Sequence, residues 1–106
     1  MAYIHEVHFD IDPDQIEQLQ IGASLDRVLG YLRVLLPSQM GYITSRAMYS
    51  LDREGLIRIV FQSVWEAWED LMAHRDSALS EDKILQEFEP HVEVKGFTVQ
   101  LYEEVD

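Results

Sequence analysis

The chain has 106 residues, eight Lys and Arg against twenty Asp and Glu, a formal net charge of −12 and 47% hydrophobic residues. That apolar content suits one domain with one core, while nucleic acid and anionic membranes recruit clustered cations and the arginines here are scattered from Arg27 to Arg75, so neither is expected as a partner. No cysteine is present, which excludes disulfides, thiolate metal sites and cysteine nucleophiles.

The first residues, Met1 to Glu6, show no basic region followed by an apolar run, so no signal peptide is read there. No uncharged apolar stretch approaches the roughly 20 residues a bilayer requires. The cytoplasm is the expected compartment.

Residues 3–11 alternate. Tyr3, His5, Val7, Phe9 and Ile11 share one face, and Ile4, Glu6, His8 and Asp10 share the other. That is the period of a strand. Asp12 reads as an N-cap and Pro13 as the first residue of a helix over 13–36. Its apolar stripe is read as Ile16, Leu19, Ala23, Val28, Leu32 and Leu35. Gly22 and Ser24 weaken its middle and mark a place for a break or kink, and Pro37 ends it.

Two strands are predicted over 41–51 and 55–64. Leu51 to Gly55 reads as the hairpin turn between them, with Gly55 at positive φ. The second strand is apolar on nearly both faces from Leu56 to Phe61. A helix is predicted from near Trp65, with Trp65, Trp68, Met72 and Arg75 on one stripe. Ser80 to Lys83 reads as a capping box opening a short third helix, with Ile84, Leu85 and Phe88 as its apolar side. Pro90 ends that helix. Residues 92–105 form the last strand, with Gly96 as a bulge or bend. Phe97, Val99 and Leu101 point one way, and Thr98, Gln100 and Tyr102 the other.

The order β-α-β-β-α-β is a split βαβ arrangement. It predicts an α+β, ferredoxin-like unit: a four-stranded antiparallel sheet with its helices on one face and strands 1 and 3 central. The other face is expected to carry Ile4, Glu6, His8, Tyr42, Met48, Leu56, Val60, Val64, Gln100 and Tyr102. So large an apolar patch is rarely left in water. A second copy, paired sheet to sheet, is the simplest cover.

These residues resemble the dimeric α/β-barrel proteins, specifically the antibiotic biosynthesis monooxygenase-like family. The carriers are the two-faced strand from Ile57 to Val64 and the run Ser63-Val64-Trp65-Glu66-Ala67-Trp68-Glu69-Asp70-Leu71-Met72-Ala73-His74. A Trp closes the strand, an acidic helix start follows, and a His stands nine residues after that Trp. The resemblance implies a hydrophobic pocket between sheet and helices. It also implies oxidation of aromatic or polycyclic molecules by molecular oxygen, without metal or flavin. Some relatives degrade haem, but this chain offers Ile84 near the place of their haem-ligating His, so no haem is expected. The Asn that oxygen-using members often carry on the first strand is replaced here by Glu6 or His8.

Within that pocket Trp65 and Trp68 would stack on an aromatic substrate; the plain alternative is that both pack the helix onto the sheet. His74 would serve as acid or base, or instead be solvated, or be hydrogen-bonded beside Glu69 or Asp70. Glu6 and His8 share a strand face, and Arg58 and Tyr102 on neighbouring strands would reach them. That group reads either as a polar site, with His8 catalytic, or as a structural ion-pair network. His5 is expected to end the core row and carry no chemistry. No metal is expected, since His5 and His8 point to opposite faces and no HExxH or EF-hand spacing occurs. Three readings stand: an oxygenase, a non-catalytic binder of a small apolar ligand, and a structural dimerisation domain. A sheet–helix interior with no cavity would favour the last.

Overall fold

The computed structural model describes residues 1–51 and 55–105. Its elements run β1 (Tyr3–Ile11), α1 (Gln18–Leu35), a 3-10 turn (Leu36–Ser38), β2 (Tyr42–Tyr49), β3 (Ile57–Trp65), α2 (Trp68–Ser77), α3 (Leu79–Phe88) and β4 (Lys95–Glu103). The strands form one sheet in the order β2-β3-β1-β4, antiparallel at every junction. This is the ferredoxin-like α+β fold that the element order predicts. The hairpin turn expected around Gly55 runs through residues 52–54 and lies outside the described residues.

Alternation sets the two faces of β1. His5, Val7, Phe9 and Ile11 are buried, as are Ile57, Ile59, Phe61, Ser63 and Trp65, which alternate likewise along β3. The register pairs Tyr3 with Trp65, His5 with Ser63 and Val7 with Phe61. Helices cover this face, and Phe9 meets Phe88 of α3 edge to face at 5.2 Å. Gly96, at φ 62°, lies where the β1–β4 register shifts, as its expected role as a bend requires.

Four local expectations are corrected. Asp12 does not open a helix: its Oδ1 accepts from the Asp14 N–H at 2.9 Å, and Gln15 N donates to Asp12 O at 3.1 Å. The chain therefore turns once before α1 starts at Gln18. The buried stripe of α1 is Ile21, Ser24, Leu25, Val28 and Leu32, while Leu19 is 87% exposed; Gly22 and Ser24 do not break the helix. Trp65 ends β3 rather than starting a helix, and α2 begins at Trp68. Ser80 caps nothing, because α3 starts from Ala78 without a side-chain cap.

On the open face lie Ile4, Val60 and Val64, all half-buried, beside Met48, Leu56 and Tyr102, which are exposed. Tyr42 is not among them. A register irregularity after Tyr42 turns its ring onto Trp65 at 5.6 Å.

Candidate functional site

The inward row of β1 and the end of β3 place polar side chains in an otherwise apolar layer. His5 projects from β1, Ser63 and Trp65 from β3, and His74 from α2; all are buried. The link between α2 and α3 passes through Ala78 in the left-handed region, at φ 54° and ψ 21°. This sharp turn aims the first turn of α3 back at α2, so Ser80 and Glu81 face the histidines.

The resulting contacts are close. His74 stacks on Trp65 at 4.6 Å between centroids and meets His5 edge-on at 4.8 Å. Ser80 Oγ lies 2.9 Å from His74 Nε2, and Gln39 Oε1 lies 2.9 Å from His74 Nδ1. An amide oxygen only accepts, so Nδ1 carries the proton, and Nε2 accepts from the Ser80 hydroxyl. Trp65 Nε1 donates to Ser63 Oγ at 2.9 Å. His5 Nε2 lies 2.8 Å from Glu81 Oε1. That contact is off-line for a hydrogen bond, and neither Glu81 oxygen gains another partner.

Electrostatics follow from burial. Desolvation, aided by His5 and opposed by Glu81, lowers the His74 pKa to about 4, so its imidazole is neutral near pH 7. Burial pushes the Glu81 carboxyl up, yet the His5 contact, its own backbone and His74 outweigh this and hold it below its ordinary value.

Among the described residues, the layer between sheet and helices is tightly packed around His5. The gap bounded by His5, Val7, Leu32, Phe61, Ser63 and Ser80 has no volume open to a water molecule. Instead a cleft of about 270 Å³ opens outside the layer, lined by Gln39, Met40, Asp70, Ala73 and His74. Gly41 shapes its edge. At φ 81° it adopts a conformation that favours glycine, and any Cβ there would collide with the Asp70 carboxylate.

A second polar group sits on the open face. Glu6 Oε1 accepts from Gln62 Nε2 at 2.8 Å, Glu6 Oε2 lies 3.0 Å from His8 Nδ1, and the Tyr102 hydroxyl lies 3.2 Å from the same oxygen. Arg46 Nε donates to Gln62 Oε1 at 2.6 Å. Burial pushes Glu6 up, but the Gln62, His8 and Tyr102 hydrogen bonds prevail and hold it below its ordinary value.

The sequence-selected residues therefore divide. Trp65 and His74 come together. Glu6, His8 and Tyr102 come together on the opposite face. Arg58 is not with them: register sets it opposite Asp10, and its Nε donates to Asp10 Oδ1 at 3.1 Å. Trp68 is apart from Trp65, 43% exposed, with its ring edge-to-face with Tyr3 at 5.9 Å. His74 is neither solvated nor paired with Glu69 or Asp70. His5 lies in the buried row as expected and also meets His74 and Glu81 there, while Ser80, Glu81, Gln39 and Gln62 were not selected as site residues. The signal for His5 was present: it is the one imidazole in an inward row that otherwise holds Tyr3, Val7, Phe9 and Ile11.

No protein-family model and no curated protein sequence matches the chain. Solved structures do. A dimeric protein of unknown function and ferredoxin-like fold from Bacteroides fragilis superposes with a TM-score of 0.67 at 12% identity, over 97% of this chain and 96% of that one. A candidate antibiotic biosynthesis monooxygenase from Nitrosomonas europaea gives 0.63 at 12% identity, over 98% and 90%. SnoaB, a cofactor-independent oxygenase from Streptomyces nogalater, gives 0.61 at 10% identity, over 99% and 94%. Together with the strand order, these matches show that the chain has the ferredoxin-like fold, which it shares with these three proteins.

Proposed function

We propose that the protein is a homodimer, paired through the open face of its sheet, and that it oxidises a small aromatic molecule bound in the cleft over His74. The observation that carries the catalytic part is that cleft, which is lined in part by His74, the residue that stacks on Trp65. In this reading Met40 supplies apolar contact. The Asp70 carboxylate holds or accepts the proton of a phenolic hydroxyl, and neutral His74 takes its place beside it without adding a positive charge. Loss of that proton makes the ring a better electron donor. The substrate supplies all the electrons: a ring CH₂ becomes C=O, one oxygen atom of O₂ enters the product, and the other leaves as water with the two hydrogens. No further reductant is needed for that balance.

Oxygen uptake with candidate quinols and anthrones tests the reading. Uptake above the uncatalysed rate that falls at least about tenfold in both His74→Ala and Trp65→Phe supports it; no uptake by the wild-type protein sinks it. A second reading has its own support. The closed sheet–helix layer favours a structural dimerisation domain, which would form the same dimer yet neither consume oxygen nor bind an aromatic molecule.

A further inference from the structure

The largest cavity among those seen on the described residues is not at either polar cluster. It runs between α1 and the edge strand β2, on the helix side of the sheet. Two contiguous hollows, of about 670 Å³ and about 440 Å³, share Gly22, Asp26 and Tyr49. Both are open grooves with room for a small molecule laid along the surface. We infer that this groove binds a small organic cation with an apolar body.

Three independent features support that inference. The walls are apolar, with Leu19, Leu25 and Leu29 among them, and Leu19 is 87% exposed. The one charged side chain among the described lining residues is Asp26. Among the described residues, the neighbouring cations are engaged elsewhere: Arg27 turns to Glu87 at 2.6 Å, and Arg33 donates to Ser45 O at 3.2 Å. With a formal net charge of −12 over the whole chain, an anion is repelled and a cation drawn in. Finally, Gly22 stands inside α1, where glycine costs about 1 kcal/mol relative to alanine. No close contact requires it, since a Cβ there would meet nothing within 4 Å. What the missing side chain leaves is the floor of the groove.

Backbone amide chemical shifts of the full chain, titrated with 2-phenylethylammonium and with its near-isostere 3-phenylpropanoate, test the inference. Saturable shifts at Gly22, Asp26 and Ala47 are expected with the ammonium, and binding of the carboxylate is expected to be weaker by about tenfold or more. Gly22→Leu should fold, because its side chain enters open space, and should weaken ammonium binding by at least about tenfold. Asp26→Asn should remove the preference for the ammonium. Absence of saturation, equal affinity for the two probes, or unchanged binding by Gly22→Leu would overturn it. So would a Gly22→Leu variant that changes only the sedimentation coefficient, because the groove would then be a seat for a second copy.

Discussion

His74 carries a stability cost that depends on pH. Its folded-state pKa is about 4 against an ordinary value near 6.5, so the unfolded chain binds a proton that the folded chain refuses. The groups facing it are His5 from β1 and Glu81 from α3. Stability should be full above pH 6.5, decline as pH falls through 6.5 toward 4, and level off below that for this residue. Allowing for solvent at the mouth of the cleft, the loss is about 2 kcal/mol. Urea unfolding at pH 7, 6 and 5 measures it. His74→Gln should flatten the slope between pH 6.5 and 5, above the range where most carboxylates titrate. A variant with the same slope as the wild type would refute the assignment. The sequence made Trp65 and His74 visible as a pair because nine residues of local chain join them. It could not show that His74 is buried, since its partners Gln39 and Ser80 come from other segments and meet it only through tertiary packing.

At the scale of elements, the connection between α2 and α3 decides whether the inner polar cluster exists. Ala78 holds a left-handed conformation, φ 54°, that costs an L-residue with a Cβ about 1 kcal/mol. Ala78→Gly should therefore raise stability by up to about 1 kcal/mol, offset in part by the greater freedom of glycine in the unfolded chain. A rise in urea midpoint at unchanged slope is the expected result. The strands were legible for a simple reason. Their period of two leaves a clear inward set, and β1 and β3 follow it residue by residue. The face of α1 was not, because apolar side chains surround that helix: Leu19, Tyr31 and Val34 are all more than half exposed. A period read from such a sequence has several equivalent phases, and the sheet selects among them.

For the whole molecule, the two-sided apolar character of β3 was the informative signal. It pointed to a second covered surface, and Val60 and Val64 stand on that surface opposite His8 and Ile4. Val64→Glu places a carboxylate where the proposed partner sheet packs. Leaving that charge unpaired in the interface costs several kcal/mol, so sedimentation velocity should show the wild type as a dimer and this variant as a monomer with a retained far-ultraviolet spectrum. A wild-type protomer that stays single at high concentration would remove the basis for the pairing. Shape misled where the sequence was silent about volume: residue types along β1 and β3 predict an inward face, but not that Leu32, Phe61 and Ser80 close it too tightly for water.

Gln62, His8 and Tyr102 of the same copy of the chain lie within hydrogen-bond distance of the Glu6 carboxylate. In the proposed dimer, a newly folded subunit would meet its twin with this carboxylate already accommodated. Structure formation can then run ahead of encounter. In stopped-flow refolding, the main phase should keep the same rate constant when subunit concentration is raised tenfold, and only a later phase should quicken with it.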